Sequence, residues 1–204
     1  MRKEVKTQIK DNELVRSKRL QIAMGASRLF IKKGYSQTSI REISKATGLT
    51  IGNLYDYIRK KEDILFLVFD VFHSTWVSRL EEEGVFEIDD PVLQLHAAVQ
   101  KMLDLVNTHR EMVLLMYTES KLLPKGFLRI ILEKESGLVK YFETILKRGI
   151  QKKVFKIKDP FFAANMIVYL LSVEPLRGWN LRSRYSMDDV NKHLIDFIKD
   201  SVIG

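Results

Sequence analysis

Apolar residues recur at helical spacing along most of the chain, and polar residues fill the positions between them. The segments 20–30, 64–80 and 127–149 each place apolar residues three or four positions apart, as amphipathic helices require. No segment alternates apolar and polar residues with a period of two over the length of a strand. The pattern predicts an all-α protein of about nine helices: 12–33, two short helices within 38–57, then 60–83, 90–107, 110–121, 127–149, 160–179 and 186–202.

Residues 38–57 predict two short helices joined by a tight turn. Thr38 can cap the first helix with its hydroxyl, and Gly48 suits the left-handed conformation that ends a helix. Thr50 can cap the second helix, on which Leu54 faces inward and its neighbours stay more exposed. This is the helix-turn-helix layout, whose second helix enters the DNA major groove. The alternative interpretation is an ordinary helical hairpin in a protein core.

The distribution of charge favours the DNA-binding interpretation. The first 62 residues hold 15 basic and 6 acidic side chains, a net charge of +9, whereas the whole chain carries +8 and the remainder therefore −1. Contacts to phosphates require such a concentration of positive charge. A helical interaction protein whose basic end binds a membrane or an acidic protein is the second interpretation. Residues 1–11 are predicted to form a mobile polar arm.

A longer set of spaced residues surrounds the motif. It comprises Ala26, Leu29-Phe30, Gly34-Tyr35, Thr38-Ser39-Ile40, Ile43, Gly48-Leu49-Thr50, Gly52, Leu54-Tyr55, Tyr57, Lys61-Glu62 and Ile64-Leu65. With this set, residues 14–66 resemble the N-terminal domain of TetR-family transcriptional regulators. The sequence departs from the family at Ile51, where a polar or basic residue is frequent, at Asp56, where an aromatic residue or histidine is frequent, and at Ile58, where phenylalanine is usual.

The resemblance implies a three-helix DNA-binding domain at residues 12–60 and a helical effector-binding and dimerisation domain at 61–204. It implies a transcriptional regulator, in most members a repressor that a small molecule releases from a palindromic DNA operator. We expect Thr38, Ser39, Tyr55 and Lys61 to contact DNA phosphates, and we expect Arg41 to lie at the DNA. At or beside base edges we expect Thr50, Ile51, Gly52, Asn53 and Tyr57.

Two explanations compete for the many apolar side chains of the second domain. They form an ordinary core, or some of them line a cavity for a small hydrophobic ligand. Family members sense small molecules there, and the segment 173–182 resembles a stretch of members that sense fatty acyl-CoA. We therefore expect an acyl-CoA effector, with Arg177 near its anionic group and inward-facing contacts from Phe72, Trp76, Met102, Met116, Phe142 and Met166. The alternative effector is a hydrophobic drug or dye, as in family members that control efflux pumps.

A homodimer is expected because a single recognition helix reads few base pairs, and two-fold dimers on palindromic sites solve this problem. The last two predicted helices, 160–179 and 186–202, carry more apolar residues than one packed face needs. Two such helices from each subunit would form a four-helix interface. Its expected residues are Phe162, Met166, Tyr169, Val190, Leu194, Phe197 and Ile198.

The sequence carries no motif of a known catalytic or cofactor site. It has no Gly-rich phosphate loop, no His-Glu-x-x-His and no Gly-x-Ser-x-Gly. It has no cysteine and four scattered histidines, so we expect no metal and no cofactor, although His73 and His96 could approach each other. No apolar run reaches the ~20 residues of a membrane span, and the N-terminus does not resemble a signal peptide. We therefore expect a cytoplasmic protein that is not an enzyme.

Overall fold

Helices account for all the regular structure in the described part of the computed structural model, which comprises residues 5, 7 and 9–203. The predicted all-α fold is confirmed. The ten α-helices of this part are α1 (Asn12–Lys33), α2 (Ile40–Thr47), α3 (Ile51–Tyr57), α4 (Lys61–Glu82), α5 (Pro91–Thr108), α6 (Arg110–Glu119), α7 (Lys125–Gln151), α8 (Pro160–Leu171), α9 (Val173–Leu181) and α10 (Met187–Ile203). Two short 3-10 helices, Val85–Glu87 and Ser120–Leu122, join them.

The predicted mobile arm at residues 1–11 lies partly outside the described residues. Of the residues described, Val5 is buried, and Arg19 on α1 donates a hydrogen bond to its main-chain oxygen. Thr7 Oγ1 donates to the main-chain oxygen of Asp56 on α3 over 2.7 Å. These two positions are therefore held by α1 and α3, contrary to the prediction.

The chain divides into two compact units. The first comprises Met1–Ser74 and Leu115–Leu132, and the second comprises Thr75–Leu114 and Glu133–Gly204. The first unit thus contains α1 to α3 and the first part of α4, and it takes in a segment from later in the chain. The domain boundary expected between residues 60 and 61 stays a prediction.

The start of α2 differs by one residue from the prediction. Ser39 is the cap: its hydroxyl accepts from the Glu42 amide over 3.3 Å, and the Glu42 carboxylate accepts from the Ser39 amide over 2.9 Å. This reciprocal capping box satisfies two amides that a helix start leaves free. Thr38 is buried, and its hydroxyl donates to the Gly34 carbonyl over 2.9 Å. At the other end Gly48, with φ of 69°, terminates α2 as predicted.

The predicted helix 160–179 is two helices, α8 and α9, separated by Ser172 with φ of −93° and ψ of 1°. Pro175 explains the break. In a continuous helix its ring would crowd the carbonyl of Leu171, and its nitrogen has no hydrogen to donate to that carbonyl. In the first turn of α9 the proline needs no such donor. The described residues therefore form ten α-helices where about nine were predicted.

The second unit is built around α5, which contacts α8, α9 and α10. A polar cluster holds the chain at the start of α5: Arg148 on α7 donates to Gln94 Oε1 over 2.9 Å and to Asp89 Oδ1 over 3.0 Å. Gln94 is itself buried and donates to the Val85 carbonyl over 3.0 Å. Within the described residues, no helix is both long enough and apolar enough to cross a membrane.

Candidate nucleic-acid interface

Three packed helices fix the orientation of α3 in the first unit. α1 contacts both α2 and α3, and Ile22, Ile43 and Leu54 from the three helices are fully buried. α1 passes close to α2 at Gly25, where an added Cβ atom would lie only 2.6 Å from Thr47 Cγ2. A glycine at this position therefore permits the close crossing that holds the two helices together.

α3 exposes one face and buries the other. Thr50 caps its start by accepting a hydrogen bond from the Asn53 amide over 3.1 Å, as predicted. Leu54, Tyr57 and the following Ile58 are buried. The exposed residues of the helix are Ile51, Gly52, Asn53, Tyr55 and Asp56. An exposed first turn on a firmly anchored short helix is the feature that base readout in a major groove requires.

The structure separates the predicted DNA contacts into exposed and buried residues. Ser39, Arg41, Thr50, Ile51, Gly52, Asn53 and Tyr55 are exposed, and their contacts to DNA stay predictions. Thr38 is only 2% exposed and its hydroxyl is already engaged, so it is not presented to a phosphate. Tyr57 is only 7% exposed because it faces the interior of the first unit, so it is not presented to a base edge. These two expectations are corrected.

Lys61 has a structural role that the sequence analysis missed. Its ammonium donates to the carbonyl of Tyr35 over 2.5 Å, reaches that of Ser36 at 3.4 Å, and lies 4.2 Å from the centre of the Tyr35 ring. It thereby ties the turn between α1 and α2 to the start of α4. Burial lowers the pKa of Lys61, and burial with the charges of Glu62 and Asp63 raises the pKa of Tyr35 to about 12. An ammonium has three N–H groups, so one remains for the predicted phosphate contact.

Basic side chains are exposed on several elements of the first unit: Arg16, Arg28, Lys32, Arg41, Lys45, Arg59 and Lys60. Lys33 instead forms an ion pair with Glu42. The hydrogen bond from Lys33 and those from Ser39 lower the pKa of Glu42 to about 2. The acid nearest the start of α2 is therefore neutralised by its partners, and the surface keeps its positive character.

The residues expected to hold an effector differ in exposure. Phe72 and Met116 belong to the first unit, where Phe72 is buried and Met116 is half-buried. Trp76, Met102 and Phe142 belong to the second unit and are buried. One expectation is corrected: Met166 is 41% exposed and does not face inward. Arg177 is exposed beside the ring of Trp179, 5.5 Å from its centre, and its contact with an anionic group stays a prediction.

Trp76 and Met102 line a common cavity of about 180 Å³ in the second unit. Its other lining residues are Arg79, Leu80, Glu83, Lys101, Asp104, Leu105, Thr108 and His109. The Glu83 carboxylate pairs with the Lys101 ammonium, whereas burial, with the charge of Arg79, lowers the pKa of the His109 imidazole. The sequence predicted Trp76 and Met102 at this cavity but not Arg79 or Lys101. Across the part of the chain that was searched for metal sites, no group of three or more His, Cys, Asp or Glu could hold a metal ion.

The residues expected at a dimer interface also fall into two groups. Phe162, Met166, Tyr169 and Phe197 are exposed. Val190, Leu194 and Ile198 are buried because they stand four residues apart on the face of α10 that packs within its own unit. These three are corrected, since they are already covered inside one subunit. Large exposed side chains that the sequence analysis missed are Phe161 and Trp179.

Two protein-family models match this chain. The model of the bacterial regulatory proteins of the tetR family matches residues 22–68, and that of the tetracyclin repressor-like C-terminal domain matches residues 76–202. The HTH-type transcriptional regulator HbdR of Aromatoleum sp. (strain CIB) is 25% identical over 183 residues, which cover 90% of this chain and 80% of that protein. Both the N-terminal motif and the helical remainder thus have counterparts in known regulators.

Solved structures share the fold. FadR from Bacillus subtilis in complex with stearoyl-CoA has a TM-score of 0.76 and 22% identity, and the match covers 89% of this chain and 98% of that one. AibR in complex with isovaleryl coenzyme A and operator DNA has a TM-score of 0.75 and 21% identity, with 88% and 97% covered.

The C-terminal match alone spans more than half of the chain, and the N-terminal match covers the helix-turn-helix whose exposed helix start is described above. The chain belongs to the tetR family of bacterial regulatory proteins and is a DNA-binding transcriptional regulator, not an enzyme.

Proposed function

We propose that this regulator is a cytoplasmic repressor that binds a palindromic operator as a homodimer and leaves it when a long apolar effector of the fatty acyl-CoA class is bound. The observation that carries the proposal is the exposed first turn of α3 on a unit that holds the excess positive charge of the chain. The proposal combines three parts: operator recognition, dimerisation and effector binding.

Operator recognition divides between phosphates and bases. α3 itself carries no lysine or arginine, so the side chains of its first turn are suited to base edges, while the Tyr55 hydroxyl further along the helix can bond a phosphate. Asn53 can bond an adenine edge in two places, and Ile51 can pack on a thymine methyl group. The surrounding elements provide further phosphate contacts, from Ser39 and Arg41 at the start of α2 and from Lys61 at the start of α4.

The exposed apolar residues of α8 and α10 support the dimerisation part of the proposal. Phe162 and Phe197 are each 61% exposed, and Tyr169 is 52% exposed. Soluble proteins rarely expose clustered aromatic side chains unless a partner covers them. A second copy of the chain would cover them and would supply the second recognition helix for a palindrome.

The effector part rests on the cavity lined by Trp76 and Met102. Aromatic and thioether side chains favour an apolar chain, and the Arg79 guanidinium at the same cavity can bind an anionic group. Of the two acidic residues that line the cavity, Glu83 and Asp104, Glu83 is paired with Lys101. An acyl thioester of a phosphorylated carrier combines both features. The complexes of FadR with stearoyl-CoA and of AibR with isovaleryl coenzyme A support this class of ligand, since both proteins share the fold.

A paired assay tests the proposal. Gel shifts with the upstream region of its own gene, beside random DNA of equal length, measure operator recognition at moderate salt. Acyl-CoAs of graded chain length and cationic dyes are then added to the complex and, in parallel, to the free protein in a thermal unfolding assay. We expect one range of acyl-CoA lengths to release the DNA and to raise the melting temperature. If a dye does both and no acyl-CoA does either, the effector is of the drug class. Equal affinity for random DNA would contradict operator recognition.

A further inference from the structure

A second cavity lies in the second unit, between α5 and α10. It measures about 200 Å³ and shares no residue with the cavity at Trp76. Its walls are Val92, Leu93, Leu95, His96 and Val99 from α5, Ile195, Ile198, Lys199, Val202 and Ile203 from α10, and Phe155 from the loop after α7. Nine of these eleven residues are apolar, so the cavity is suited to a hydrocarbon chain.

The wall formed by Phe155 is fixed by its surroundings. An added Cβ atom on Gly149 would lie 1.9 Å from the Phe155 ring, so only glycine allows the ring to pack this closely against α7. The chain reaches this position through Lys153, a non-glycine residue with φ of 58°. The amide of Phe155 donates to the Gly149 carbonyl over 3.2 Å, and the next amide, of Lys156, donates to the Val202 carbonyl over 2.9 Å.

The loop that carries Phe155 takes a strained path to the cavity. A left-handed non-glycine residue carries a conformational cost, and Lys153 bears this cost two residues before Phe155. An apolar cavity of about 150 Å³ is large enough to take up a benzene molecule, so this one has room for a ligand.

The charges at the cavity select the ligand class. The polar lining residues are His96 and Lys199, both exposed, and no acidic side chain lines the cavity. We propose that the α5–α10 cavity binds a medium-chain aliphatic carboxylate, with its hydrocarbon tail between α5 and α10 and its carboxylate at Lys199. This site is separate from the proposed effector site, and the proposal does not depend on which effector releases the DNA.

Calorimetric titration of the full chain tests this site with octanoate, octan-1-ol and octylamine as probes. We expect octanoate to bind with one site per chain and more tightly than either of the other two. Lys199→Met keeps the aliphatic stem and removes the charge, so it should weaken the affinity for octanoate by about two- to fivefold and leave the affinity for octan-1-ol unchanged. Lys192→Met, on the same helix but outside the cavity, is the matched control and should bind octanoate as the wild type does.

A filling variant locates the binding. Val92→Phe enlarges a half-buried lining residue and should abolish octanoate binding, while a cooperative thermal transition shows that the variant is folded. Three results would overturn the proposal: no octanoate binding to the wild type, equal binding of octanoate and octylamine, or undiminished binding to a folded Val92→Phe. Release of operator DNA by acyl-CoA should be the same in wild type and Val92→Phe, which keeps this test distinct from that of the proposed effector.

Discussion

Replacing Lys61 by alanine is expected to have two effects that can be measured separately. The ammonium of Lys61 donates to the carbonyls of Tyr35 and Ser36 and lies over the Tyr35 ring. Removing it leaves the turn between α1 and α2 without its tie to the start of α4. It also removes a positive charge from the surface at which phosphates are predicted to bind.

The stability effect follows from the contacts. A hydrogen bond from a charged donor contributes about 1.5–3 kcal/mol, and a cation that stays accessible to solvent over an aromatic ring about 0.5–1 kcal/mol. Lys61 is only half-buried, and the Tyr35 carbonyl keeps a second donor, the Thr38 amide at 3.1 Å. We therefore expect Lys61→Ala to lower the free energy of unfolding by about 1–2 kcal/mol, a loss that urea denaturation would measure.

The DNA effect follows from counterion release. Loss of one phosphate contact should reduce the slope of log K against log salt concentration by about 0.9, measured by fluorescence anisotropy on operator DNA. Lys60→Ala is the matched control because the Lys60 side chain is exposed and lies next to Lys61 in the sequence. It should leave stability unchanged. If Lys61→Ala is as stable as Lys60→Ala, the ammonium does not hold the turn. If the salt dependence of DNA binding by Lys61→Ala has the wild-type slope, Lys61 does not contact a phosphate.

Three further changes test the packing, electrostatics and assembly of the protein. Gly25→Ala should lower the free energy of unfolding by about 1–3 kcal/mol because the new Cβ atom meets Thr47, whereas Gly137→Ala enters open space and should stabilise by roughly 0.5–1 kcal/mol; similar urea midpoints would contradict this. The pKa of Glu42 is lowered from 4.5 to about 2, so the stabilisation of the fold by this carboxylate is present above pH 4.5 and is lost as the pH falls towards 2. The difference in melting temperature between wild type and Glu42→Gln should therefore shrink across that window, and a constant difference would refute the assignment. Phe197→Glu should give a monomer in sedimentation at micromolar concentration, and an unchanged mass would exclude Phe197 from the dimer interface.

Local signals in the sequence predicted the recognition helix well. Thr50 caps α3 and Leu54 faces inward because both features depend on residues within one or two turns. The cap of α2 was misplaced because Thr38 and Ser39 both carry hydroxyl groups. Glu42, three residues after Ser39, is the signal that distinguishes them, since only this spacing forms a capping box.

Contacts between distant residues were not predictable in the same way. The bonds of Lys61 to Tyr35 and Ser36 join segments that no local pattern relates. Arg79 and His109 line the same cavity as Trp76. Arg79 lies three residues after Trp76 on α4, at a spacing that the sequence shows, whereas His109 lies just beyond the end of α5, and only the packed structure brings it to this cavity.

The C-terminal helices show how one apolar pattern can contain two faces. On α10 the residues Val190, Leu194, Ile198 and Val202 repeat every four positions and are buried within their own unit, whereas Phe197 stands outside that register and is 61% exposed. α8 divides in the same way: Ala164, Ile167, Val168 and Leu171 are buried, while Phe161, Phe162, Met166 and Tyr169 are exposed. Residues in register satisfy the core of one subunit, so they are not available to a partner. The proposed dimer interface should therefore be assigned to the apolar residues that lie off the buried faces of α8 and α10, because these side chains stay exposed when one chain folds alone.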